Sequence, residues 1–262
     1  MEYSLLYHAI IPFILSALVV ILVTVIAEKY GTKTGGVIGT LPSTIIIAFL
    51  FIAVDKGTRF ASDSVAVVPA EMGINLVFLL GFALLSQKKI LVALAGSLFT
   101  WTVLTIVIYY FNLTSIAVSL FIYIVCFLLA FLILDKKEKI TSQDTIKVHY
   151  TPLKLLGRSL IAGIVIAIAV SFSNVGVLLS GIFSVFPAIF LSTMLISHRE
   201  HGSQFTGAMA KSMIYGSPSV VSYAIGIHFL YPFLGILTGT IGAFIIALVV
   251  TLLLFLLRKK IR

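Results

Sequence analysis

Two ionisable side chains stand deep inside apolar runs. Glu71 lies about nine residues into a run that opens near Ser62, and Lys211 about six into a run that opens near Phe205. At 1.5 Å per residue, each sits roughly 9–14 Å from the face its helix enters. Taking a lone charge from water into hydrocarbon is expensive, so both should face a protein interior or water. A buried carboxyl at Glu71 could carry a coupling proton. A buried ammonium at Lys211 could hold an anionic group, or be released from Glu71 by one. The plainer alternatives are a structural Glu71–Lys211 ion pair, or a Lys211 that snorkels to the nearer interface.

A second set of residues surrounds two prolines. Gly35, Gly36, Gly39 and Pro42 occur with Thr40, Ser43 and Thr44, and Gly181 and Pro187 with Ser180 and Ser184. Proline removes a backbone donor and frees the carbonyl a turn earlier, and within lipid those groups need a partner. Two broken helices would aim the positive N-terminal ends after Pro42 and Pro187 at a shared cavity near the midplane. Ordinary kinks with close glycine packing would use the same residues. Asn75 shares a run with Glu71 and Pro69. The stretch Tyr215, Gly216, Ser217, Pro218, Ser219 and Ser222 follows Lys211 and could line a solute path, or bond back to its own helix.

Other chemistries lack their residues. No HExxH, GxSxG, Walker loop or dinucleotide fingerprint occurs, and no histidine–acid cluster has metal spacing. His198 and His201 flank Arg199–Glu200 in what reads as a solvated turn. Cys126 is the only cysteine, which excludes an internal disulfide. The expectation is no enzyme, no metal and no cofactor.

The elements that must position these residues are membrane helices. The 262 residues are 60% hydrophobic and 10% charged, with a mean hydropathy of +1.20. Soluble proteins carry about a quarter charged residues. Nine spans are expected, near Ser4–Ala27, Gly35–Val54, Ser62–Ser86, Ile90–Phe111, Thr114–Leu134, Pro152–Phe172, Val177–Ser197, Phe205–Tyr231 and Phe233–Leu257. With the N-terminus outside, fifteen of the eighteen Lys and Arg residues, Lys154 and Arg158 among them, fall in inner loops or the tail. That partition fits the positive-inside rule and places the C-terminus in the cytoplasm. The net charge of +9 is thereby a matter of topology, and nucleic acid is not expected as a partner.

The chain repeats itself at a spacing of 145. GGVIGTLPSTIIIAFLFIAVDKGTRF (35–60) aligns without a gap on SGIFSVFPAIFLSTMLISHREHGSQF (180–205). Gly36 falls on Gly181, Pro42 on Pro187, Asp55 on Glu200, Gly57 on Gly202 and Phe60 on Phe205. Glycine and proline matches weigh most, because each marks a backbone requirement. The expected fold is an all-α polytopic membrane protein with a 4+1+4 inverted-topology repeat. Its parts are repeat 1 (1–111), a linking helix (112–134), a cytoplasmic loop (135–151) and repeat 2 (152–262). Glu71 aligns with Gly216 and Lys211 with Ala66, so the halves have diverged where the charges lie.

The stretch GIFSVFPAIFLSTMLISHREHGSQF resembles the small bacterial inner-membrane proteins of the GlpM family, and GGVIGTLPSTIIIAFLFIAVDKG resembles them more weakly. Those proteins are about one repeat long, so the resemblance implies two fused, inverted units. The family's function is poorly defined, and the resemblance carries no residue roles.

The functional expectation is a secondary transporter of the cytoplasmic membrane. It would move a small anion-bearing metabolite, with proton coupling as an option, through a site of Glu71, Lys211, Thr40, Pro42, Ser43, Ser184, Pro187, Asn75, Ser217 and Ser219. A lipid or polyprenyl-phosphate flippase and a non-catalytic subunit of an export or biosynthesis complex are the alternatives. Membrane lipids, a small solute and a second copy of the chain are the partners to consider.

Overall fold

The computed structural model describes residues 9–28, 41–137 and 150–260. Among them the chain is helical and contains no strand. The helices are α1 (Ile11–Glu28), α2 (Ser43–Lys56), α3 (Thr58–Val65), α4 (Val68–Leu85), α5 (Ile90–Tyr110), α6 (Ile116–Lys137), α7 (Pro152–Ser171), α8 (Val177–Ser184), α9 (Ala188–Gly216) and α10 (Pro218–Lys260). Six helical stretches of the described residues are long and apolar enough to cross a membrane. The expected spans do not return as nine separate rods. The third is stepped between α3 and α4. The seventh is divided between α8 and α9. The eighth is cut at Ser217, and the ninth continues α10 past a bend at Gly235.

One stepped helix forms the centre. In the most apolar 18 residues of the α3–α4 stretch 83% are buried, against 22% in the same length of α5 and 17% in that of α6. A helix with apolar residues on every side belongs in a core, and α4 packs along α5, α6 and α9 while α10 covers α3. The outer helices turn bulky apolar residues outward, among them Leu91, Phe99, Phe233 and Leu237. Such a surface suits lipid rather than water. Close crossings occur where glycine permits them. The α-carbon hydrogens of Gly181 face the Ser64 carbonyl, and an added Cβ would lie 2.0 Å from that oxygen.

Backbone breaks fall where the sequence places glycine and proline. Pro42 precedes α2 with φ −72° and ψ 45°, and Pro187 precedes α9 with φ −73° and ψ 34°. Gly57 ends α2 with φ 90° and ψ 165°, and Gly202 bends α9 with φ 78° and ψ −174°. That region of backbone space is essentially closed to side-chain-bearing residues. Helix α2 therefore runs 43–56 between its proline and its glycine, and the first arm of α9 runs 188–201 between their counterparts.

The two glycine turns are fastened to opposite ends of α7. The Ser173 hydroxyl, just beyond its C-terminus, donates to Asp55 Oδ2 at 3.2 Å, and Lys56 Nζ donates to Asn174 Oδ1 at 2.6 Å. At its N-terminus Lys154 Nζ pairs with Glu200 Oε1. The start of α7 is written in the sequence: Pro152 opens the helix, and the Thr151 hydroxyl accepts from the Lys154 amide at 3.4 Å. From Lys154 to Ser173 is about 29 Å of helix, close to the hydrocarbon thickness of a bilayer.

Candidate functional site

The two proline breaks meet. A cavity of about 50 Å³ lies between Leu41, Pro42, Thr44 and Ile45 at the start of α2 and Val185, Phe186, Pro187, Ile189 and Phe190 at the start of α9. Met72 and Asn75 from α4 and Val220 from α10 complete it. Ten of the twelve lining residues pair at the 145 spacing: 41 with 186, 42 with 187, 44 with 189, 45 with 190 and 75 with 220.

The first turns of both helices supply the polar character of the wall. The opening amides of an α-helix have no carbonyl within the helix to bond. Ile46 N and Leu191 N are the first to reach back four residues, to Pro42 O at 3.2 Å and Pro187 O at 2.7 Å. Thr44 and Ile45, and Ile189 and Phe190, thus bring second- and third-position amides to the cavity. Two positive helix ends aimed at one small space favour a negative group there.

Asn75 ties the break to the central stepped helix. Its Nδ2 donates to the Val185 carbonyl at 2.7 Å, and its Oδ1 accepts from Trp101 Nε1 at 2.9 Å. The Trp101 ring meets Phe186 edge-on at 4.9 Å between centroids. One turn earlier on α4, Glu71 Oε2 accepts from the Thr105 hydroxyl at 3.0 Å. Residues 71 and 75 on α4 thus face 105 and 101 on antiparallel α5, two rungs one turn apart. Glu71 is fully buried, and its Oε1 has no partner.

The expected Glu71–Lys211 contact is not formed. Glu71 turns towards α5, where the Thr105 hydroxyl reaches it. Lys211 is half-buried on α9, nine residues past Gly202, and has a bonding partner of its own. It does not line the cavity. The other expected site residues divide. Pro42, Pro187 and Asn75 line the cavity. Ser43 is buried at the start of α2 with its Oγ unpartnered. Ser184 and Ser217 bond back to their own helices, to Gly181 O at 2.6 Å and Ile214 O at 2.8 Å. Ser217 also meets Tyr123 of α6 at 2.8 Å. Ser219 is buried and bonded. Thr40 lies outside the described residues, as do Gly35, Gly36 and Gly39.

One charged residue that topology alone claimed proves to be buried. Arg158, counted from the sequence among the inner-loop bases, is 6% exposed on α7. Its depth within the sixth span was the available signal: it stands six residues past Pro152 and is followed by an apolar run.

Residues 9–114 match the model of a family described only as a protein of unknown function, DUF3147. The matched segment is less than half of the chain. No curated protein and no solved structure matches the chain. The matching family is uncharacterised, as the GlpM resemblance implied, but it is a different family name, and the GlpM relationship stays a resemblance.

Proposed function

We propose that the protein is a secondary transporter for a small anion-bearing solute, built as a 4+1+4 inverted repeat of nine spans in the cytoplasmic membrane. The observation that carries this reading is the convergence of two proline-broken helix N-termini on one cavity. Paired half-helices pointing positive ends at a central site are a recurring device of such transporters. The inverted arrangement is supported by the matched dihedrals at Pro42 and Pro187 and at Gly57 and Gly202. Attachment of the equivalent turns to opposite ends of α7 supports it further. The family match to 9–114 ends close to the expected limit of the first repeat at 111. The N-terminus outside and C-terminus inside follow from the positive-inside partition.

In this reading the first-turn amides of α2 and α9 hold the anionic group, and Lys211, outside the cavity wall on the second arm of α9, offsets its charge. The Glu71 carboxyl, with one oxygen bonded to Thr105 and the other unpartnered, exchanges the coupling proton. A space of about 50 Å³ holds a few waters or the charged head of a solute, so the rest of the solute requires an opened state. The test is uptake by proteoliposomes of a panel of small organic and inorganic anions under a proton gradient. Saturable flux that Lys211→Ala abolishes in a still monodisperse protein is the expected result. Wild-type vesicles no more permeable than empty ones to every solute would sink the reading.

One observation favours a second reading, a lipid flippase. An apolar groove of about 740 Å³ lies between α1 and α7, lined by Ile10, Phe13, Ile14, Ile164, Ile168 and Phe172 among others, and could take acyl chains. Protein-dependent headgroup translocation without solute flux would select it.

A further inference from the structure

Arg158 is a buried cation without a described acid. Its Nη1 donates to the Thr193 hydroxyl of α9 and, at 3.3 Å, to the Tyr150 hydroxyl. The Tyr150 ring lies 5.4 Å from the guanidinium carbon. Its Nε is buried with no acceptor. Arginine stays protonated in any protein setting, so the group cannot escape its burial by losing the charge. A buried charge is tolerated when an opposite charge meets it, and two neutral hydroxyls do not supply one. The nearby acid is already engaged: Glu200 pairs with Lys154, one turn before Arg158 on α7.

We propose that Arg158 holds a phosphate-like oxyanion at the N-terminal end of α7, against Thr193 and the adjoining turn of α9. The planar fork of Nε and Nη atoms matches two oxygens of such a group, which a halide cannot use. Ser197, one turn beyond Thr193 on the same face of α9, has a fully buried Oγ with no partner and can supply a further donor. The site also adjoins the central cavity, because the Thr193 hydroxyl donates to the carbonyl of Ile189, a residue of the cavity wall. This is an equilibrium binding site, and it stands whether or not solute crosses the membrane. The oxyanion has two sources, a free inorganic anion or the phosphate of a lipid headgroup, and the measurement separates them.

In the first arm, the melting temperature of the purified full-length protein is followed against sulfate, inorganic phosphate and chloride at matched ionic strength. Sulfate or phosphate should raise it by about 3 °C or more at saturation and chloride should not. Arg158→Gln should remove the response and Arg158→Lys should keep part of it. In the second arm, native mass spectrometry counts phosphatidylglycerol retained on the protein. Retention that Arg158→Gln removes, without a response to free anions, assigns the site to a headgroup. Should Arg158→Gln fail to fold, Thr193→Val leaves the guanidinium in place and should weaken either response about tenfold. Responses unchanged by these variants, or absent from both arms in the wild type, would make Arg158 a hydrogen-bonded strut and overturn the proposal.

Discussion

At the C-terminal end of α7 the Asp55–Gly57 turn is held by neutral side chains, Ser173 and Asn174. At its N-terminal end the Glu200–Gly202 turn is held by Lys154, and Arg158 lies buried one turn beyond. The turns share a backbone, because a glycine in the same extended, positive-φ conformation ends both half-helices. They do not share side-chain chemistry. Position 158 is spaced 145 from Phe13, which packs against Gly163. At Pro42 and Pro187 and at Gly57 and Gly202 the aligned stretches agree in backbone. Where side chains fasten the two turns, they differ.

The comparison fails outright if the turns lie on one side of the membrane. Single cysteines replacing exposed Lys56 and His201, in a Cys126→Ser background, should react with an impermeant thiol reagent from opposite faces of oriented vesicles. Labelling of both from one face would remove the inverted arrangement. A smaller effect sharpens the equivalence of the turns. A Cβ at Gly57 or Gly202 meets nothing within 4 Å, so alanine there costs only backbone strain. Gly57→Ala and Gly202→Ala should each lose about 1–3 kcal/mol in thermal melts, by similar amounts. A loss at one alone would mean that only one turn depends on its glycine. The smallest effect separates the ends by chemistry. Ser173→Ala and Lys154→Ala should each cost under about 1 kcal/mol, and only the lysine variant's loss should shrink as salt rises.

The glycines and prolines made the breaks legible, since Pro42, Pro187, Gly57 and Gly202 each impose a conformation that no packing partner has to specify. The start of α7 was legible for the same reason, in Thr151–Pro152. The rotation of each helix about its axis was not. Glu71 and Asn75 mark one face of α4, but nothing in the sequence says which neighbour that face meets, and an ion pair with Lys211 looked as reasonable as the Thr105 bond that forms. Asn75 was a candidate, but its partners Val185 and Trp101 are 110 and 26 residues away in sequence, and no spacing rule links them. Arg158 was hidden by its own usefulness to topology: a base near a span end satisfies the positive-inside rule whether it is solvated or buried. The step between α3 and α4 at Ala66 and Val67 has one signal, Pro69 in the first turn of α4, which alone does not tell a kink from a helix start.

Trp101 has one more consequence. It is the chain's single tryptophan, its indole N–H is held by Asn75, and its ring edge meets Phe186 at the break before α9. The protein therefore carries one indole fluorophore, seated beside the cavity wall rather than at a lipid interface. Emission excited selectively at the indole, where the tyrosines do not absorb, reports on one small volume, and any rearrangement of Phe186 must change what that indole touches.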